Sequence, residues 1–149
     1  MAKVLSEVLT GKKSVPQPVD ATIMQVAVTL VLPAAAPVAN DLLELLDLPP
    51  GVDLVDFDIL SPQIDSNGAP TAAFSLGHEN AGGTDLGLVY EAGLTFGRTA
   101  NGSVSRATTA AQLAAVNTAP RRLALKVTTG FATYAGAGKT VTAILHLRG

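Results

Sequence analysis

Nine residues near the C-terminus, TVTAILHLR (Thr140 to Arg148), alternate without a break. Val141, Ala143, Leu145 and Leu147 fall on one side, and Thr142, Ile144, His146 and Arg148 on the other. A period of two gathers apolar side chains on one face only in a β-strand. The same period recurs along the chain. In ATIMQVAVTLVL (Ala21 to Leu32) it gathers Met24, Val26, Val28, Leu30 and Leu32, and in VDLVDFDIL (Val52 to Leu60) it sets Val55, Phe57 and Ile59 against Asp56 and Asp58. TAAFSLG turns Ala72, Phe74 and Leu76 inward, and RRLALKVTTGFATY does so with Leu123, Leu125 and Val127.

Between these segments lie clusters of Gly, Pro, Asn and Ser, which favour tight turns. Asn67-Gly68 and Asn101-Gly102 are the clearest, since both residue types tolerate positive φ. Short alternating strands punctuated by such turns predict an all-β fold, an antiparallel, jelly-roll-like β-sandwich. Asn67-Gly68 is expected to return one strand onto the next, and AGAGK to close a C-terminal hairpin.

One or two short helices complete the expectation. DLGLVYEAGLTFG (Asp85 to Gly97) can start as one, capped by Thr84 or Asp85, and TTAAQLAAVNTAP (Thr108 to Pro120) can hold a turn or two. DLLELLDLPPG (Asp41 to Gly51) stays open: its leucines and an Asn40 or Asp41 cap suit a helix stopped by Pro49, and a strand fits equally. GKKSVPQPVD has two prolines and few apolar residues, so residues 1–20 are read as an extended N-terminal arm and residues 21–149 as the sandwich domain.

A chain of 149 residues is expected to form one domain and to bury roughly two-thirds of its unfolded surface. Charged residues are only 15%, so much of the outer surface must be small or hydroxylated. A net charge of −2 with no basic run argues against nucleic-acid binding. No apolar run reaches 18 residues, so no membrane span is expected, and the N-terminus lacks the apolar stretch of a signal peptide. Without cysteine there is no thiolate zinc site, which fits synthesis in a reducing cytoplasm.

Gly138-Lys139-Thr140 ends like a phosphate-binding loop. That motif needs a glycine five residues before Gly138, where Thr133 stands, and a helix after it, where an alternating strand stands. Lys139 is therefore read as the wet end of a turn. His78, beside Glu79, is read as a solvated loop residue, and His146 as an outward residue of the last strand. Asp53, Asp56 and Asp58 lack the rest of a calcium loop and are read as an acidic strand face that discourages edge pairing. No G-x-S-x-G occurs. No catalytic residue, metal site or cofactor is expected.

Residues 40 to 149 carry a further pattern. NDLLELLDLPPG leads to an acidic strand and an Asp-x-Asn-Gly turn; FSLG follows, then RRLALKVTT, an Ala-Gly turn and an apolar strand ending in Arg. This resembles small structural proteins of tailed bacteriophages, most of all capsid decoration (cement) proteins. The resemblance implies a non-enzymatic virion protein on the capsid exterior, with the major capsid protein as partner and a homo-oligomer, a trimer, as the working unit. It tips DLLELL toward a strand. In that setting Lys3, Lys12 and Lys13 of the arm become candidate capsid contacts. A tail or head–tail junction component is the alternative with the same fold. A ligand-binding sandwich is a third reading, disfavoured by only four Phe, two Tyr and no Trp to line a pocket.

Overall fold

A strand with one apolar face needs a second apolar sheet to cover it, and this chain builds two. The computed structural model describes residues 1–16, 22–107 and 118–149. Nine strands occur in it: β1 (Lys3–Leu5), β2 (Ile23–Val31), β3 (Leu42–Leu48), β4 (Asp53–Ser61), β5 (Ala73–Glu79), β6 (Leu86–Leu94), β7 (Ser103–Arg106), β8 (Arg121–Thr129) and β9 (Thr140–Arg148). Sheet A has the order β1-β3-β8-β5-β6 and sheet B the order β2-β9-β4-β7. All neighbours are antiparallel except β1 and β3, which run parallel.

The alternation read from the sequence is the alternation that is buried. Val26, Val28 and Leu30 of β2, Val141 to Leu147 of β9 at every second position, and Leu123, Leu125 and Val127 of β8 fill the space between the sheets. Phe74 stacks on Phe96 with ring centroids 4.2 Å apart, and Phe131 meets Phe74 edge-on at 6.0 Å. In β4 the phase differs from expectation. A register shift between Leu54 and Asp56 puts Leu54 rather than Val55 in the core beside Phe57 and Ile59.

Two local expectations are corrected, the Asp85 helix and the His78 loop, and the open reading of DLLELL is settled as a strand. No helix occurs among the described residues. The Asp85 segment forms β6 instead, because Gly87 and Gly93 disfavour a helix and β5 offers it a ladder. The helical turn expected between Thr108 and Pro120 falls largely outside the described residues. DLLELL is strand β3, and a bulge between Glu44 and Leu46 lets Leu43, Leu45, Leu46 and Leu48 all reach the core. His78 lies in β5, not in a loop.

The two expected hairpins are crossovers between sheets. β4 is in sheet B and β5 in sheet A; β8 is in sheet A and β9 in sheet B. The AGAGK turn binds the end of β2, not β8: Gly138 N–H donates to the Leu32 carbonyl (3.0 Å), and Leu32 N–H to that of Lys139 (2.9 Å). Both crossovers are tied at Asp65. Its fully buried carboxylate accepts N–H bonds from Thr71 (2.9 Å) and Ala72 (3.1 Å) of one, and Ala132 (3.1 Å) and Thr133 (2.9 Å) of the other.

The first sixteen residues lie along one side of this same sandwich. β1 extends sheet A, and Ser6 N–H donates to the Glu44 carbonyl at 3.0 Å. The following turn reaches sheet B, where Glu7 N–H donates to the Thr29 carbonyl at 3.0 Å. Val4, Val8 and Val15 pack against the core from this side.

Candidate functional site

The sequence-derived candidates are dispersed by the fold. Lys3 of β1 lies on the outer side of sheet A, in ion pairs with Glu44 (2.5 Å) and Glu79 (3.0 Å). Lys13 turns back on its own chain and donates to the Ala27 carbonyl at 2.7 Å. Lys12 is exposed in the turn beside it. Lys139 donates to the Gln63 carbonyl at 2.8 Å and is followed by strand β9, so no helix N-terminus faces it.

The histidines are built into the structure. A ring nitrogen of His78 meets the Tyr90 hydroxyl at 2.8 Å, and burial, aided by the Arg121 charge, holds His78 below the ordinary imidazole pKa. His146 lies 3.7 Å from Asp58, which also pairs with Arg106 at 3.0 Å. Asp53 pairs with Arg148 at 3.1 Å. Asp53 and Asp58 of β4 are thus matched by bases of β7, β8 and β9, while Asp56 accepts the Phe57 N–H. Among the described residues no three His, Asp or Glu side chains gather as metal ligands. The larger clefts are open. One of about 630 Å³ lies over sheet A beside His78, Asn80 and Arg121. Another, of about 620 Å³, crosses sheet B between Leu60, Pro62, Gly102, Val104, Thr140 and Thr142.

That second groove belongs to a larger feature, the outer face of sheet B. Strand register sets its side chains in rows. Thr29, Thr142, Leu60 and Val104 lie side by side across all four strands, with Val31 and Thr140 next to them. Val104 is 53% exposed, Val31 48% and Leu60 39%. The rows that follow, Ala27-Ile144-Asp58-Arg106 and Gln25-His146-Asp56, bring in charge, mostly paired. The part of this face around Leu60, Val104, Thr140 and Thr142 therefore carries no charged side chain from its own strands, while at its β2 end Thr29 donates to the Glu7 carboxylate. Uncharged, pre-ordered surface loses little on desolvation, which suits it to protein contact and not to chemistry. Sequence reading missed it because each strand shows only its own outward residues; the row exists only once register is set.

No family model matches the chain, and no curated protein does. Two solved structures are similar to it. A chain in the capsid of Ralstonia phage GP4 superposes with a TM-score of 0.85 at 29% identity, over 99% of this chain and 97% of that one. A chain in the capsid asymmetric unit of cyanophage Pam1 gives a TM-score of 0.66 over 91% of each, at 17% identity, and so shares the fold. The resemblance to phage structural proteins read from residues 40 to 149 is thus matched in structure over nearly the whole length.

Proposed function

We propose that this chain is a non-enzymatic structural protein of a phage virion that binds the outside of the capsid as a decoration protein and stabilises it. The observation that carries the reading is the match to a chain of the phage GP4 capsid across almost the full length of both chains. The site geometry agrees with it. Asp53 and Asp58 pair with neighbouring bases, and the outer face of sheet B exposes Val31, Leu60 and Val104 among threonines. The partner is the major capsid protein, and the working unit is a homo-oligomer, a trimer. Many identical copies on one shell turn a modest interface into firm attachment.

In this reading the part of sheet B around Leu60, Val104 and Thr142 meets the shell or a neighbouring copy. Of the three arm lysines, Lys12 is the one held out toward a partner, since Lys3 and Lys13 bind within their own chain. Electron microscopy of particles assembled with and without the protein tests the reading. Added density at regular positions on the outer capsid surface is expected. Density confined to the head–tail junction or the tail would instead assign the protein there.

A further inference from the structure

Five charged side chains from four strands meet on the outer side of sheet A: Lys3 of β1, Glu44 and Asp47 of β3, Arg122 of β8 and Glu79 of β5. Arg122 donates to Glu44 at 2.7 Å and grips Asp47 through two bonds of 2.7 and 2.9 Å. Lys3 sits between the other two carboxyls, 2.5 Å from Glu44 Oε1 and 3.0 Å from Glu79 Oε2. The Glu44 carboxyl is wholly buried, and that of Glu79 is 7% exposed.

Charge does not balance here. Two cations face three carboxyls, and among the described residues no further cation reaches them, Arg121 being bonded to the Val52 carbonyl at 2.5 Å. Lys126 of β8 is held by Asp85 at 2.7 Å, His78 turns to Tyr90, and β6 contains neither Lys nor Arg. Hydrogen bonding does not balance either. Glu79 Oε1 is buried without a hydrogen-bond donor, and Glu44 Oε1 has only the Lys3 ammonium, 2.5 Å away. The two carboxyls are brought together around one ammonium, since Lys3 Nζ touches both. Buried acceptors so placed repel unless a proton lies between them.

We propose that Glu44 and Glu79 hold one proton between them and that this proton competes with Lys3 for the pair, so that the attachment of β1 to the sandwich is controlled by pH. One proton leaves the cluster neutral and gives the donorless Glu79 oxygen a hydrogen to share with Glu44. Burial and the neighbouring Glu44 raise the Glu79 pKa; burial also opposes ionisation of Glu44, but Lys3 and Arg122 outweigh it and lower that group. The proton therefore resides chiefly on Glu79.

Lys3 favours the ionised pair, so by linkage each proton taken up weakens its hold. β1 is sensitive to this because it is three residues long and pairs with β3 alone. For local detachment the sign is simple. The detached state keeps the carboxyl pair but loses Lys3, so it binds protons more tightly, and β1 loosens as pH falls. Global unfolding differs: the raised Glu79 contributes stability that is lost as pH rises through its folded pKa, and the lowered Glu44 contributes stability that is lost as pH falls through its own.

Carboxyl carbon NMR titration of the whole chain, with amide exchange at Ser6, tests this. The Ser6 N–H bond to Glu44 reports β1 attachment. Glu79 is expected to titrate above the usual value of about 4.3. Ser6 protection, corrected for intrinsic exchange, is expected to fall about tenfold as pH drops through the same midpoint. Lys3→Met should move that midpoint up by about one unit, the size of one lost charge partner. Glu79→Gln, which keeps the shape of the protonated acid, should hold Ser6 protection near its low-pH level at every pH and abolish its pH dependence. Titration of both glutamates at or below the usual value would overturn the proposal, as would an unchanged pH dependence in Glu79→Gln.

Discussion

Asp65 shows how much one side chain can organise. Burial works against its charge, but N–H donors from Thr133, Ala72, Ala132 and Thr71 more than offset this and hold its pKa at about 2, below the ordinary 3.8. The stability it contributes is complete above the unfolded value and is lost as pH falls from about 4 to about 2. The shift corresponds to about 2 kcal/mol. Asp65→Asn replaces an acceptor oxygen with an N–H₂ that faces backbone N–H groups, so a loss of about 3 kcal/mol in urea unfolding at pH 7 is expected. Its acid-unfolding profile should also flatten between pH 4 and pH 2. Lys139 is the contrasting case. Lys139→Ala removes one bond to the Gln63 carbonyl and should cost about 1 kcal/mol. A nucleotide titration of the purified protein should give no saturable signal for either form. The role of Lys139 was legible in the sequence, through the missing glycine and the strand that follows. That of Asp65 was not, since an Asp before Asn-Gly reads as an ordinary turn residue until the second crossover is folded against it.

Among the elements, β6 departs furthest from its sequence reading. Its pairing with β5 shifts register three times. The first half of the strand passes so close to β5 that a Cβ on Gly77 would lie 2.1 Å from the Leu88 carbonyl oxygen. Gly77 is thus required by a neighbouring backbone and not by its own turn. Gly77→Ala is expected to cost about 3 kcal/mol by thermal or urea unfolding, since main chain must move to admit the methyl. The N-terminal segment makes a related point. Two prolines and few apolar residues read as an arm, yet β1 and the turn after it bond to both sheets. The bonds are main-chain bonds, which composition does not report. Removal of this segment would uncover Val4 and Val8 contacts as well as any shell-binding residues. Point substitution at Lys12 is therefore the cleaner test of a capsid contact. Lys12→Glu should weaken shell binding a few-fold and leave the unfolding midpoint unchanged.

For the whole molecule, the proposed role depends on the part of sheet B around Leu60, Val104 and Thr142, where the strands contribute no charged side chain. The paired variant Leu60→Glu with Val104→Glu places two carboxylates side by side in one row of sheet B, outside the core. Cosedimentation with shells lacking the protein should show binding reduced at least tenfold, with an unchanged far-UV spectrum. Undiminished binding would remove sheet B from the interface. The sequence by itself determined the strands β2, β4, β5, β8 and β9 and, but for the shift in β4, their buried faces, because the period of two is a local property and burial selects one face of it. It also set the class, an all-β sandwich with few charges, no thiols and no enzyme motif. Tertiary structure decided which strands share a sheet, where the two expected hairpins became crossovers, and how the scattered residues assemble. A turn signal marks where a chain can reverse, but the partner of the next strand is chosen by contacts distant in sequence. The Asp65 knot, the Glu44–Glu79–Lys3 cluster and the Leu60–Val104 row of sheet B all come from strands far apart in the chain. No local pattern encodes their meeting; register and packing do.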